Sequence, residues 1–386
     1  MTIARKLINV TFITALAMPA AFAQIPDLLT SFDAGGRAMG MGGGIGVSGS
    51  DTNSTLSNPA GLAHARKKTL SVVIRNMPQS KTSLSSSFNN PVLTTRSEVG
   101  ANGLSHAGLT LPLGTDDNPR GTVGISYTIG GFIRDSRTNN GQLPIDASSS
   151  VNNYNELLKA KTEFFTIGYG WGNADNSLTL GASLILAGQY VLNRQSYDIV
   201  PAGGTAITNP PLDLSNQSYG VGAVVGVQLI PKGSPNTSIG FAVRTPINIS
   251  GNKNTATYYD TIPGKISVGF AHRKDGLRGG RDFVVFGAQI DTFYKNERGA
   301  AFARKRAVNV GAGAEYNLLR GAARIPIRLG FTAVPEAGNG FRDRNALTFG
   351  VGYRPFTRPY SIDLNFAAPS SGSGFDAALQ LNYRLK

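Results

Sequence analysis

From Lys68 to the C-terminus the chain alternates apolar residues with small or polar ones, in blocks separated by turn-forming stretches. Gly220-Val221-Gly222-Ala223-Val224-Val225-Gly226-Val227 is one block, Asn309–Tyr316 another, and Thr348–Arg354 a third. A period of two sends successive side chains to opposite faces of a sheet. About fourteen blocks fit this template and predict strands. They lie near 68–76, 104–113, 121–132, 161–172, 177–192, 218–230, 237–246, 264–273, 282–294, 303–316, 324–334, 345–355, 358–369 and 374–386.

One face of these blocks is Val, Ile, Leu, Phe and Tyr; the other is Gly, Ser, Thr, Asn, Gln and Arg. A soluble sandwich would alternate in the same way, so the connections decide. Links after even-numbered blocks are short, as in LGTDDNPRG, GNADN and RKDGLRGGR. Those after the first, third, fifth and seventh are long and polar. Short turns on one rim, long loops on the other and an even strand count predict an all-β fold, an antiparallel transmembrane β-barrel of about 14 strands. Blocks of roughly 9–13 residues match the length needed to cross a bilayer at a tilt. Trp171, Tyr316, Tyr353, Tyr360 and Tyr383 fall near the short-turn rim, and Tyr190, Tyr219 and Tyr294 near the other, like two interfacial girdles. The last block, FDAALQLNYRLK, would close on the first and remove both edges.

The barrel blocks are preceded by two other segments. Arg5 and Lys6, the apolar run Leu7–Met18 and Ala21-Phe22-Ala23 form the three parts of a secretory signal peptide, residues 1–23. Residues 24–66 show no strand register. Within them Gly44, Gly46 and Gly49 spell GxGxxG, which cradles a dinucleotide only between a strand and a helix, and neither flanks it here. Small residues suit tight packing instead. Asp51, Ser54, Ser57 and Asn58 can satisfy backbone groups locally, and Pro59 stops any strand. The segment reads as a plug for the barrel, 67–386.

Composition narrows the chemistry. The chain has no cysteine, so no disulfide or thiolate site is possible. His64, His106 and His272 have no metal-ligand spacing or Ser/Asp constellation. No catalytic site, metal, cofactor or nucleic-acid module is therefore expected. Removing Arg5 and Lys6 with the leader leaves 35 basic and 23 acidic residues, a net +12 that suits anionic partners such as lipopolysaccharide phosphates. Strand parity turns Arg244, Arg273, Arg324, Arg328, Arg354 and Arg384 into the bore with Glu315, Gln289 and Asp291. Arginine forks bind carboxylates, which makes Arg244, Arg328, Glu315 and Gln289 the candidate substrate contacts. Pairing with acids of wall or plug is the alternative. In the third block, Gly130-Gly131 reads as a bulge or kink, or else as a loose strand end beside a long loop.

The run GRAMGMGGG, then Asp51, then Asn58-Pro59-Ala60-Gly61-Leu62 before the first strand resembles the long-chain fatty-acid transporter (FadL) family. The motif covers Gly35–Leu62; the architecture covers the whole mature chain. The resemblance implies residence in a bacterial outer membrane, beside lipid and lipopolysaccharide, as a monomer. It makes residues 24–66 an N-terminal hatch, with Arg37, Asp51, Asn58, Pro59 and Ala60 carrying its motif. It further implies passive uptake of a hydrophobic small molecule, long-chain fatty acid or hydrocarbon, by hatch rearrangement and lateral exit at the third strand, where Gly130 and Gly131 stand. The same superfamily includes PorV-like barrels, which act with secretion-system proteins, so a partner- or cargo-binding role is the alternative. The loops predicted around 77–103, 133–160 and 193–217 are rich in Ser, Asn and Thr, yet Leu157, Leu158, Ile199, Val200 and Ile207 offer an apolar landing site.

Overall fold

A computed structural model describes residues 36–77, 101–115, 119–139, 143–146, 149–201, 203–208, 210–249, 261–294, 308–334, 345–370 and 375–385. The expected leader and the first part of the expected hatch, up to residue 35, lie outside the described residues, as does 78–100.

The first strands are β1 (Thr69–Met77), β2 (Ala101–Gly114), β3 (Pro119–Asn139), β4 (Leu143–Asp146), β5 (Ser149–Gly172) and β6 (Leu178–Pro201). Next come β7 (Ile207–Thr208), β8 (Leu212–Leu229), β9 (Thr237–Arg244), β10 (Ile247–Asn248), β11 (Thr261–Ile262) and β12 (Gly264–Gly276). The last are β13 (Asp282–Tyr294), β14 (Val308–Arg320), β15 (Ala323–Ala333), β16 (Ala346–Pro355), β17 (Tyr360–Pro369) and β18 (Asp376–Arg384). Fourteen of them form one antiparallel ring, β1-β2-β3-β5-β6-β8-β9-β12-β13-β14-β15-β16-β17-β18, closed by β18 on β1 from Thr69↔Arg384 to Asn76↔Ala377. β4 and β7 lie beside β5 and β6, and β10 with β11 makes a small separate ribbon.

All fourteen predicted blocks are strands, but four run further than alternation indicated. β3, β5, β6 and β8 stay paired out to Asn139↔Tyr154, Ser149↔Pro201 and Gln195↔Leu212, through stretches expected to be loop. Beyond the bilayer both faces of a sheet are wet, so the ladder persists without the apolar alternation that marks a lipid-facing strand.

The outward face is apolar throughout its middle. Leu184, Val221, Leu329 and Leu347 are each more than 60% exposed. A belt of such side chains is stable only against lipid. Trp171, Tyr353, Tyr360 and Tyr383 stand outward on the short-turn rim. The chain is an integral membrane barrel of the outer-membrane type.

The inward face is cut to fit one occupant. Gly170, Gly181 and Gly226 are cross-strand partners, as are Gly240 and Gly269, and again Gly287, Gly313 and Gly330. A Cβ at Gly181 would run into the backbone of Pro59 and Ala60, one at Gly240 into Val47, and one at Gly313 into Met41. This glycine belt lets residues 41–63 lie directly on the inner wall. Met39, Met41, Val47, Ala60 and Leu62 are fully buried there, and burying a side chain the size of the methionines, valine or leucine contributes about 1.5–3 kcal/mol.

Candidate functional site in the bore and the wall

The N-terminal segment consists of a helical turn at Gly36–Gly40, turns through Gly44 and Gly46, a second short helix at Ser54–Ser57 and a 3-10 helix at Pro59–His64. Asn58 is extended and caps the last of these: its Oδ1 accepts from Ala60 N at 3.2 Å, with Pro59 at the first helical position, where a missing N–H costs nothing. The Asn58 amide also donates to Val47 O (2.7 Å) and to the wall at Val227 O (3.2 Å). Ala60 is fully buried, and its backbone N lies so close to Gly181 that a side chain on that glycine would meet it. Asp51 Oδ1 accepts from Asn53 N at 2.9 Å, and burial, opposed by the charge of Arg37, raises its carboxyl above the ordinary value. The GxGxxG glycines are packing residues: Gly44 lies on the Gly287 carbonyl and Gly49 on that of Ile45.

On the side where the belt stops, polar residues take over. Thr348 Oγ1 donates to Gly40 O (3.2 Å), and Gln380 Oε1 accepts from Arg37 N (3.0 Å). Arg37 makes a two-pronged pair with Glu315, Nε to Oε2 and Nη2 to Oε1, both 2.8 Å. Burial disfavours that guanidinium's charge, but Glu315 outweighs it and holds the pKa above the ordinary value. Arg328, fully buried, reaches Glu315 at 2.7 Å and Asp363 at 2.5 Å, while Arg354 lies 3.5 Å from Asp363 and 3.9 Å from Glu315. Gln289 accepts from Val47 N (2.7 Å) and donates to Asp291 (2.8 Å). Of the four candidate substrate contacts, Arg328, Glu315 and Gln289 thus bear on the segment or on its partners.

Arg244 stands elsewhere. It is buried, its Nη2 donates to Pro263 O at 3.0 Å, and its guanidinium lies 5.9 Å from the Phe164 ring centre. Phe164 belongs to a buried apolar group with Val47, Leu56, Ile185, Val224 and Ile247. A Cβ at Gly220 or Gly222 would meet β10, so this ribbon folds inward onto β8. This part of the interior, against Val47 and Leu56 of the segment, is therefore packed with apolar side chains, with a guanidinium at its edge.

The wall has a break. Among the described residues the β2–β3 ladder ends at His106↔Thr128. Beyond it, among the described residues, β2 pairs only with β1, and β3 only with β5. Both strands carry irregularities there. On β3 the register shifts between Ile129 and Gly131, leaving Gly130 without a partner on β5. On β2 the register shifts at Ser105, whose Oγ donates to Val73 O at 3.2 Å. His106 marks the lower end of the break, with Nε2 2.9 Å from Thr52 Oγ1 and Nδ1 2.9 Å from Thr128 Oγ1. Strict alternation would place Ser105 and His106 on opposite faces; with the irregularity both are buried. The break begins level with Glu163, Gly188 and Tyr219, at the upper edge of the apolar belt. Outside it, Lys161 pairs with Glu163 at 2.5 Å and donates to Tyr127 Oη at 3.0 Å.

No family model matches the sequence, and no curated protein does. Solved structures do. A FadL homologue of Pseudomonas aeruginosa is 14% identical over 94% of this chain and 99% of its own, with a TM-score of 0.57. The toluene transporter TbuX of Ralstonia pickettii is 15% identical over 90% and 97%, at 0.58. The monoaromatic hydrocarbon channel CymD is 13% identical over 90% and 96%, at 0.52. The fold of this chain is the FadL-type outer-membrane barrel.

Proposed function

From a barrel of FadL type, we propose a passive channel that carries a hydrophobic small molecule across the outer membrane and releases it sideways through the wall. The break between β2 and β3 is the observation that carries this reading. Unpaired backbone costs several kcal/mol per group where it meets hydrocarbon, so a ladder that stops at the upper edge of the belt calls for a use. An apolar solute that leaves through it enters lipid directly and keeps the roughly 25 cal/mol per Å² gained by avoiding water.

In this reading the solute descends the apolar bore past Phe164 and meets the N-terminal segment, which acts as a hatch. Gly130 and Gly131 line the exit. Arg244 is the contact for a carboxylate, whereas Arg328, Glu315 and Gln289 position the hatch. Hydrocarbons, the cargo of the structurally similar channels, fit the bore as well as fatty acids do. The barrel works as a monomer among lipid and lipopolysaccharide. Cells relying on this protein are expected to take up a labelled fatty acid or toluene, and the pair Gly130→Val, Gly131→Val to cut that uptake at least tenfold. Unchanged uptake in the pair would refute lateral exit; no uptake by the native protein would refute the channel.

A further inference from the structure

The glycine belt packs the hatch against only part of the wall. Opposite it, between residues 50–52 and 65–67 of the segment and strands β16 to β18, the short-turn mouth keeps a cavity of about 310 Å³. That volume holds roughly ten waters at about 30 Å³ each.

Its lining is strongly unbalanced in charge. Arg37, Arg66, Lys67, Arg354 and Arg384 face two carboxylates, Asp51 and Asp363, a surplus of three cations. Arg37 and Arg354 are committed to Glu315 and Asp363. Arg66, Lys67 and Arg384 have no acidic partner among the described residues. These three are held on anchored backbone rather than on loose loop. Thr122 Oγ1 donates to Ala65 O (3.0 Å), Thr69 and Thr110 Oγ1 donate to Lys67 O (3.2 Å each), and Arg384 N donates to Pro359 O (2.7 Å). Ser50 and Ser361 add hydroxyl groups to the lining. Like charges fixed together in a recess repel one another unless an anion lies among them, and guanidinium forks match the oxygens of phosphate.

We propose that this mouth is a binding site for a phosphate group, distinct from the path of the hydrophobic solute. A carboxylate carries one charge and would leave most of the surplus unmatched; phosphate carries up to two and accepts from several donors at once. The group can arrive on a soluble phosphate or on a phospholipid headgroup, since Tyr360 both lines the cavity and stands outward on the belt.

The test uses the mature protein in uncharged detergent, titrated calorimetrically with inorganic phosphate. In parallel, nanodiscs of phosphatidylcholine with and without phosphatidylglycerol are analysed by native mass spectrometry for retained lipid. The proposal predicts one saturable equivalent, weakened at least tenfold by Arg66→Ala with Arg384→Ala and unaffected by Arg194→Ala, a cation paired to Asp213 on the far rim. Saturation by inorganic phosphate assigns the soluble source; retention of phosphatidylglycerol alone assigns the headgroup. Lack of saturation by either, or the double variant binding as the native protein does, would overturn the site. Both substituted side chains are exposed, and heat-modified electrophoretic mobility checks that the variants fold.

Discussion

Glu315 accepts from two guanidinium groups, of Arg37 and Arg328, at a place only 1% exposed. Glu315→Gln keeps the shape and removes the charge, which leaves the half-buried Arg37 without its carboxylate and the buried Arg328 with Asp363 alone. Losing one member of a buried pair costs about 3–5 kcal/mol, and that loss is expected in the urea unfolding of the folded barrel. Trp171, the single tryptophan, reports it by fluorescence. His64 supplies a pH dependence of known sign. Burial first, and the neighbouring Arg66 second, lower its pKa below 6.5. Its neutral form is the one that fits the fold, so its contribution is complete above pH 6.5 and is lost as pH falls through the lowered value. The unfolding midpoint should drop on that acid limb, and His64→Gln should flatten it.

The N-terminal segment and the glycine belt are a matched pair of elements. Gly181→Leu would drive a side chain into Pro59 and Ala60, and overpacking of this kind costs about 1–3 kcal/mol. Amides of residues 54–64 are expected to exchange faster with solvent in this variant, while Gly233→Ala, with open space around it, changes nothing. The strands were legible in sequence because lipid on one face and polar bore on the other impose strict alternation. Their extension past the bilayer, in β5 and β6, was not, since there only the ladder acts. Gly130 was legible as an irregularity from the doubled glycine, whereas Ser105 shows nothing in sequence: its displacement follows from pairing with β1. Glu315, Arg328 and Gln289 were placed in the bore by parity, but their role toward Arg37 and Val47 needed the third dimension. The inward glycines of Gly220–Gly226 and Gly311–Gly313 carried a readable signal, a stripe of missing side chains on one face, which marks a surface reserved for close approach of another chain.

At the scale of the whole molecule, the proposed function divides the labour between segment and break: one would close the bore, the other open the wall. Removing residues 24–60 should raise single-channel conductance in planar bilayers, because water and ions would then cross where Met41, Val47 and Leu56 are now packed. The central claim concerns the wall. The absence of native cysteine gives a clean background for stapling it shut. Ser105→Cys and Gly130→Cys would put thiols on either side of the point where the β2–β3 ladder ends. Uptake of a labelled hydrophobic compound is then measured before and after joining them with a bifunctional maleimide. Lateral release predicts normal uptake in the unjoined protein and loss of at least nine-tenths of it, roughly 1.4 kcal/mol in barrier, once the staple is complete. Full uptake through a completely stapled wall would contradict it.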